Sequence, residues 1–345
     1  MRSGRQTRRL VFGGLLPLLL GLLPFGRPAT AEGLLPAAGP AAGLAPTPAA
    51  SPAPTARPLL WRIAGPRPSY LFGTIHLPDP RVLTLGAEVT QALEQVEAIY
   101  PELPLGLPTK LGAAFHLLLP LGQTLDTLVP ADLLLRADRA LRRQELSIEA
   151  FGPLKVWVLT VTLGMVDQLP QLTTGDSLDQ QLYSLGTRRG KEVGGLETVA
   201  EQVAAFDTLE PTEQVQLLRE TLDELERPDP ESLSPSEQLL RLYLAGDEEQ
   251  LYRQALGPRQ HDSQLEQKLA RALIEERNQR FAARIVEKLT ARPDRACFFA
   301  VGAGHFGGPT GLPRLLRERG WQVERLGGPA AGNARPGVDK GQRKR

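Results

Sequence analysis

Two apolar runs near opposite ends of the chain predict buried strands. Each leads into a Gly-x-x-His motif, which comprises Gly73 to His76 in the first and Gly302 to His305 in the second. A short apolar run bounded by turn residues is typical of a strand covered on both faces. Because ligands bind at the carboxyl ends of strands in open α/β sheets, we expect both histidines to lie at a functional site.

The first motif belongs to a predicted β–α–β unit. Residues 59–63 and 70–75, separated by a turn rich in Gly and Pro, predict a hairpin in which Gly73 allows a sharp or left-handed turn. A helix begins near residue 86, and a third strand follows with Glu102 at its end. Since parallel strands joined by a right-handed crossover lie side by side, we expect His76 and Glu102 to face one crevice.

The second motif has similar surroundings. Residues 296–301 predict a strand, residues 312–319 a helix closed by Gly320, and residues 321–326 an alternating final strand. The predicted fold class is therefore α/β, with a central, mostly parallel or mixed sheet built from the N- and C-terminal β–α–β units.

A large helical insertion is predicted between the two units. Its apolar spacing and capping residues predict one short strand over 192–196 and helices over 111–119, 130–143, 151–169, 177–185 and 263–291, with capping boxes at residues 198–201 and 234–237.

The chain begins with a segment typical of a secretory signal peptide. In residues 1–31, four arginines precede an apolar run of about 16 residues, and a small-x-small cleavage site follows. The run is shorter than the roughly 20 residues of a membrane-spanning helix. We expect an exported protein, periplasmic or secreted. The Arg8-Arg9 pair leaves a twin-arginine route open, and an uncleaved membrane anchor is the alternative to cleavage.

Composition divides the remainder into three parts. Residues 32–57 form a Pro- and Ala-rich linker that we expect to be disordered, residues 58–326 form the folded domain, and residues 327–345 form a disordered basic tail. The single cysteine, Cys297, allows no intramolecular disulfide, and its apolar surroundings predict a buried residue.

The charge balance and the motifs of the chain argue against several classes of function. The 40 basic and 39 acidic residues nearly balance, and aromatic residues are sparse, so we expect no nucleic-acid partner. The chain lacks the sequence signatures of serine hydrolases, zincins and nucleotide-binding enzymes. We expect a peptide or small-molecule substrate, and no integral membrane domain beyond the N-terminal segment.

Two imidazoles and one carboxylate are a common set of ligands for a divalent metal. Histidines that cap or pack loops explain the same pattern, and the residues leave both interpretations open. Of the other two histidines, His116 is expected to be a partly buried helix residue and His261 a surface loop residue.

Five segments in order resemble the TraB/GumN family, which includes the Tiki proteases. The resemblance covers roughly residues 59–326 and is carried by Tyr-Leu-Phe-Gly-Thr-Ile-His at 70–76, Ser-Leu-Asp-Gln-Gln-Leu at 177–182, Lys-Glu-Val-Gly-Gly-Leu-Glu-Thr-Val-Ala-Glu-Gln at 191–202, Glu-Arg-Asn at 276–278 and Val-Gly-Ala-Gly-His at 301–305.

The resemblance implies a metal-dependent hydrolase, a peptidase that uses a metal-activated water. The implied metal is manganese or cobalt, with zinc as the alternative. By position, His76, Glu102 and His305 are the implied metal ligands, and Glu102, together with Arg277 and Asn278, is an implied catalytic residue.

The remaining implied roles are supporting ones. Glu197, Gly73 and Gly302 are the supporting residues. Arg277 would bind a substrate carboxylate or a developing oxyanion, with interhelical hydrogen bonding as the structural alternative for Arg277 and Asn278. For Glu197 the alternative is to anchor the turn before a helix. The chain departs from the family pattern around Glu102, which follows Pro101 and has no aspartate after it.

Two other functions remain open at the level of sequence. One is a non-catalytic envelope protein that sequesters a peptide or small ligand in the same crevice. The other is a structural envelope protein whose histidines only pack.

Overall fold

The computed structural model describes residues 57–227, 233–255 and 264–327. The predicted signal segment, the linker and the basic tail lie outside these residues, apart from residues 57 and 327 at their borders, and so does His261. Within the described ranges, no helix is both long and apolar enough to cross a membrane.

A six-stranded sheet lies at the centre of the fold. Five of its strands, all except β1, run in the same direction, and β1 runs antiparallel to both of its neighbours. The α/β class with a mixed sheet is therefore confirmed. The strands are β1 (Leu60–Ile63), β2 (Ser69–Thr74), β3 (Ala98–Pro101), β4 (Glu192–Val193), β5 (Cys297–Gly302) and β6 (Val323–Leu326), in the order β4-β3-β5-β2-β1-β6.

Strand β5 lies between β2 and β3, so the expectation that β2 and β3 are neighbours is wrong. Phe72 pairs with Ala300 on one side of β5, and Tyr100 pairs with Phe299 on the other. All six residues of β2 and of β5 are buried, which explains their nearly unbroken apolar sequence. The carboxyl ends of β2, β5 and β3 consequently meet at one edge.

The last strand does not lie beside β5. β6 runs in the same direction as β5, but it pairs antiparallel with β1, with Leu326 opposite Leu60, at the far edge of the sheet. Its one acidic residue, Glu324, forms an exposed ion pair with Arg62 at 3.6 Å, away from the carboxyl ends of the parallel strands.

Gly73 does not form the expected turn. It lies inside β2 and has no positive φ angle, and its amide donates to the carbonyl of Leu59 at 2.7 Å. A β-carbon at this position would lie 2.8 Å from the β-carbon of Leu59, which is closer than two such carbon atoms approach in proteins. The glycine is needed for close packing of the hairpin.

Helices make up most of the remaining described chain. They are α1 (Pro80–Leu83), α2 (Ala87–Gln95), α3 (Leu107–Leu117), α4 (Leu125–Leu128), α5 (Ala131–Arg142), α6 (Val156–Gly164), α7 (Leu169–Thr174), α8 (Leu178–Arg188), α9 (Val199–Asp207), α10 (Pro211–Glu226), α11 (Pro235–Ala245), α12 (Glu248–Ala255), α13 (Gln264–Ala270), α14 (Glu276–Ala291) and α15 (Leu312–Glu318).

The buried helix predicted over 151–169 is shorter than expected. Every residue of α6 is buried, which fits its uniformly apolar sequence. A 3₁₀ turn separates α6 from α7, which has Pro170 near its start. The indole of Trp157 stacks on Phe206, with ring centroids 4.6 Å apart, and so joins α6 to α9.

One of the two predicted capping boxes is complete. At the start of α9, Thr198 and Glu201 each accept from the other's backbone amide. At the start of α11, Ser234 accepts from the amide of Glu237, but the carboxylate of Glu237 binds the guanidinium of Arg81 at 2.8 Å. An ion pair with another part of the fold replaces the local bond.

Candidate active site

Side chains that follow the carboxyl ends of four parallel strands lie together in one buried site. His76 lies two residues beyond β2, Glu102 directly follows β3, His305 lies three residues beyond β5, and Glu197 lies four residues beyond β4. All four side chains are buried. The carboxyl edge of the sheet therefore gathers two imidazoles and two carboxylates, as expected for an α/β fold.

His76 is held by a carboxylate that we did not predict. Its Nδ1 lies 2.6 Å from Oδ2 of Asp179, and the hydroxyl of Thr74 donates to Oδ1 of Asp179 at 2.8 Å. Burial lowers the pKa of His76, but the charge and hydrogen bond of Asp179 outweigh it, so that the pKa is raised. With Nδ1 engaged, Nε2 is the nitrogen left for other partners.

Glu102 accepts three hydrogen bonds. The amide of Gly302 donates to Oε1 at 2.7 Å, while Arg277 and Gln202 donate to Oε2 at 2.6 and 3.2 Å. Burial alone raises the pKa of this carboxyl, but Arg277, the two histidines and the Gly302 amide lower it to about 2. Glu102 is an anion at neutral pH.

Arg277 is shared by two buried carboxylates. Its Nη2 lies 2.5 Å from Oε1 of Glu197 and 2.6 Å from Oε2 of Glu102. Burial raises the pKa of Glu197 more than Arg277 lowers it. Burial lowers the pKa of Arg277, but the two carboxylates raise it well above its usual value. The partly exposed Arg280 lies 3.9 Å from Glu197, so three carboxylates, including Asp179, face two guanidinium groups, and the cluster favours a further cation or a proton.

A π-helical turn precedes Arg277. It spans Arg271–Glu275 and joins α13 to α14 within the segment 263–291, which was predicted to be helical. The Nη1 of Arg277 donates to the carbonyl of Leu273 inside this turn at 3.1 Å. Such turns are frequent at functional sites.

His305 is oriented by Asn278. Its Nδ1–H donates to the amide oxygen of Asn278 at 2.6 Å, while the amide nitrogen of Asn278 donates to the carbonyls of His305 and Thr310 at 3.2 and 2.8 Å. The ring also meets Phe281 edge-on, with centroids 5.3 Å apart. These contacts leave Nε2 with a lone pair that points away from Asn278.

Burial and the charge of Arg277 keep His305 neutral. Together they lower the pKa of His305 to about 3. Its Nε2 lies 3.2 Å from Nη1 of Arg277 and 3.8 Å from Oε1 of Glu102. The guanidinium donates to the lone pair that a metal would use.

Gly302 marks the point where the three predicted ligands converge. A β-carbon added there would lie 3.0 Å from Oε1 of Glu102, 3.3 Å from Nε2 of His76 and 3.7 Å from Cδ2 of His305. The backbone of Gly302, with φ −52° and ψ 136°, is extended and does not itself require a glycine. Glycine at this position is better explained by the space that its missing side chain leaves.

The chemical types of the donor atoms in this site suit a divalent metal. It offers an anionic carboxylate and imidazoles whose outer nitrogens are held by Asp179 and Asn278, as is usual for metal-binding histidines. In the described part of the chain, however, no group of three or more His, Cys, Asp or Glu side chains is spaced to hold a metal as it stands. Arg277 lies among the donors, so its contacts would have to change on binding.

The structure thus brings together most residues that the sequence analysis named. The gathered residues are His76, Glu102, Glu197, Arg277, Asn278, Gly302 and His305, whereas Gly73 packs the hairpin. His116 is exposed on α3, which corrects the expectation of partial burial, because the buried face of that helix is formed by Ala113 and Leu117.

Two polar residues of the site were missed. Asp179 looks like an ordinary acidic residue in the first turn of α8, and Gln202 like a surface residue of α9, but both are buried. Gln202 donates to Glu197 as well as to Glu102. Their membership in the two motif segments at 177–182 and 191–202 was the available signal.

Cys297 takes no part in this cluster. It is buried at the start of β5, and burial raises the pKa of its thiol to about 11. The prediction of a buried, small hydrophobic residue is confirmed.

Comparison with known proteins identifies relatives of this sequence. The sequence model of the TraB/PrgY/gumN family matches residues 59–325. Metalloprotease TIKI1 of Danio rerio is 28% identical over 307 residues, which cover 77% of this chain and 62% of the relative. Metalloprotease TIKI2 of Danio rerio is 29% identical over 315 residues, which cover 77% of this chain and 60% of the relative.

A human relative has a similar sequence identity and coverage. Metalloprotease TIKI1 of Homo sapiens is 28% identical over 308 residues, or 77% of this chain and 61% of the relative. The chain therefore spans about three fifths of the length of these curated relatives. No solved structure matches the chain.

Proposed function

The chain belongs to the TraB/PrgY/gumN family, and from this premise we propose that it is an exported metal-dependent peptidase. The observation that carries the proposal is the convergence of Glu102, His76 and His305 on the space above Gly302. The metalloprotease relatives support the same chemistry at the level of the family.

The metal would be held by Nε2 of His76, Nε2 of His305 and the carboxylate of Glu102. We favour manganese or cobalt from the family resemblance, with zinc as the alternative. When bound, such a metal polarises a carbonyl and lowers the pKa of a bound water. The excess negative charge of Glu102, Glu197 and Asp179 over Arg277 and Arg280 supports a cation at this position.

Glu102 is better suited to binding a cation than to accepting a proton. Its pKa of about 2 makes it a weak base near neutral pH. Glu197 is the stronger base of the two carboxyls, because burial raises its pKa, but it lies behind Arg277. We therefore assign Glu102 to metal binding and charge stabilisation, and Glu197 to holding the guanidinium.

Arg277 is placed to stabilise a developing oxyanion. A guanidinium in a buried site stabilises negative charge that appears during a reaction. Its contact with His305 is the one that a substrate oxygen or a metal would replace, since its other bonds go to Glu102, Glu197 and the carbonyl of Leu273. Asn278 and Asp179 act through the two histidines and keep their Nε2 atoms directed into the site.

A second candidate function is favoured by the burial of the site. His76 is 8% exposed, and Glu102, Glu197, Arg277 and His305 are each 4% exposed. A closed site of this kind suits capture of a peptide end or a small ligand without turnover. The alternative is thus a binding protein that sequesters such a ligand in the same crevice.

Metal content and turnover separate these functions. The full-length chain and a His76→Ala/His305→Ala variant are loaded with manganese, cobalt or zinc, desalted, and analysed by mass spectrometry. The matched control is His116→Ala, which removes an exposed histidine outside the site. We expect about one equivalent of metal in the parent and the control, and none in the double variant.

Turnover is then measured on a peptide library with the metal that binds. Cleavage by the parent and the control, but not by the double variant, supports the peptidase. Ligand capture without cleavage supports the binding protein. Absence of metal in the parent after loading with all three ions contradicts the metal-dependent function.

A further inference from the structure

Exposed apolar side chains cluster on α3 and the loop that follows it. Seven large hydrophobic side chains are exposed in the described residues, and five of them lie within 15 positions of one another. We call these five the α3 patch: Leu107 (68% exposed), Leu111 (60%), Phe115 (79%), Leu118 (40%) and Leu121 (106%). Single exposed hydrophobic residues are common on proteins, but a contiguous group marks an interaction surface.

The helical members of the patch share one face. Leu107, Leu111 and Phe115 recur every four residues, so they project from the same side of α3. The opposite side is anchored by Ala113 and Leu117, which are buried. The stripe therefore faces outward although the helix itself is packed on the fold.

The backbone around the patch is well tied to the domain. Leu118 forms a β-bridge with Leu154, the amide of Leu119 donates to the carbonyl of Pro153 at 2.8 Å, and the carbonyl of Leu117 accepts from the amide of Lys155 at 2.9 Å. The apolar side chains are thus presented on a fixed surface.

The segment that carries the patch has almost no charge. Between Glu102 and Asp126 the only residue with a permanent charge is Lys110, and no acidic residue is present. A lipid headgroup region favours such a surface, because apolar side chains enter the acyl boundary while a lysine meets anionic phosphates.

The size of the patch argues against a stable dimer. A helix of 11 residues is about 16 Å long and about 10 Å wide, so its face covers roughly a few hundred Å². A stable protein–protein interface buries about 800 Å² on each partner. Shallow insertion into a bilayer has no such minimum area, particularly when another segment supplies part of the membrane affinity.

The N-terminal part of the chain offers that other segment. Its apolar run, residues 10–25, follows four arginines, and residues 26–56 separate it from the folded domain. A segment of these 31 residues spans at most about 100 Å. While the run is in a membrane, during export or as a lasting anchor, the domain stays within reach of that surface.

We propose that the α3 patch docks the domain onto a lipid surface. Because α3 begins five residues after Glu102, docking would hold the Glu102 edge of the sheet next to the bilayer. This inference concerns an interaction surface and does not depend on the proposed peptidase activity.

A tryptophan reporter tests the docking on the full-length chain. Phe115→Trp places an indole in the patch, and Leu135→Trp places one on α5 at a similar exposure of 65% as the matched control. Vesicles of phosphatidylethanolamine and phosphatidylglycerol with brominated acyl chains quench indoles that enter the membrane. Subtraction of the parent spectrum removes the three native tryptophans.

We expect the indole at position 115 to shift to shorter wavelength and to be quenched, and the indole at position 135 to do neither. Adding Leu111→Asp to Phe115→Trp should raise the lipid concentration needed for half-maximal quenching about tenfold, as expected for loss of one buried leucine. This reporter is local, so it distinguishes docking of the patch from attachment through residues 10–25 alone.

Three results would overturn the proposal. The first is equal or absent quenching at positions 115 and 135. The second is a blue shift that grows with protein concentration in the absence of vesicles, which would indicate a second copy of the chain on the patch. The third is a blue shift caused by an apolar peptide but not by vesicles, which would indicate a peptide-binding surface.

Discussion

Arg277 donates from Nη1 to Nε2 of His305 across 3.2 Å. The same guanidinium bonds to Glu102 through Nη2. Because Nδ1 of His305 is committed to Asn278, Nε2 carries the lone pair that a metal needs. At the proposed metal site, a guanidinium and a metal ion would therefore compete for one nitrogen, and the charge of Arg277 would oppose a second cation beside it.

Replacing Arg277 should strengthen metal binding and weaken the metal-free fold. In Arg277→Met, the competing donor and the positive charge are gone, and Glu102 and Glu197 lose their shared partner. We expect at least tenfold tighter metal binding by titration calorimetry. We also expect the free energy of unfolding without metal to fall by about 3–5 kcal/mol, as when one member of a buried ion pair is removed.

Arg280→Met is the control for this change. Arg280 is more exposed and lies 3.9 Å from Glu197, so its loss should alter both quantities much less. If Arg277→Met bound metal more weakly than the parent, competition at His305 would be the wrong explanation.

Asp179 should contribute to metal affinity without touching the metal. Asp179→Asn keeps the size of the side chain but removes the charge that holds the Nδ1–H tautomer of His76. Changes of this kind outside the ligand set cost about 10- to 100-fold in metal affinity. Titration calorimetry measures the loss, and Asp176→Asn, an exposed neighbour, serves as the control. Equal affinities in the two variants would show that Asp179 is only structural.

Gly302→Ala tests the space where the ligands converge. The new methyl group would lie 3.0 to 3.7 Å from atoms of Glu102, His76 and His305, and the backbone angles of Gly302 suit alanine. We expect at least tenfold weaker metal binding with a melting temperature close to that of the parent.

Gly304→Ala is its matched control, because a β-carbon there meets only Ile274, at 3.9 Å. Mass spectrometry and thermal unfolding of both variants check the result. Unchanged metal binding in Gly302→Ala would place the metal elsewhere.

The ion pair between Glu201 and Arg284 predicts a pH-dependent contribution to stability. Arg284, the largest influence, lowers the pKa of Glu201 to about 2, below the value of about 4.3 in an unfolded chain. Because the folded pKa is the lower one, the stabilisation is complete above pH ~5 and is lost as the pH falls towards 2. Both side chains are about one third exposed, so solvent screening limits the contribution to about 1 kcal/mol.

Glu201→Gln removes the charge and keeps the cap of α9. Urea unfolding should show the variant less stable by about 1 kcal/mol at pH 7 and by clearly less at pH 3.5. Glu94→Gln, which changes an exposed carboxylate on α2, should show no such trend. A difference for Glu201→Gln that is constant with pH would contradict the assigned role of the ion pair.

Patterns within short segments were enough to predict the local elements and the candidate site residues. The apolar runs at β2 and β5, the hairpin before His76, the strand before Glu102 and the cap at Thr198 all follow from patterns within a few residues. Such patterns record which residues are buried and where a segment starts. The same patterns, together with the order of the motifs, identified the histidines and the family.

The way these elements meet depends on contacts between distant parts of the chain. The position of β5 between β2 and β3 depends on pairing between distant segments. Ser69 at the start of β2 and Cys297 at the start of β5, for example, are hydrogen-bonded although they are 228 residues apart. No local pattern records that pairing. Asp179 and Gln202 enter the site for the same reason, since an acidic residue in a first helical turn satisfies local rules whether it faces solvent or a histidine. Local sequence specifies burial and conformation, while long-range packing selects the partners.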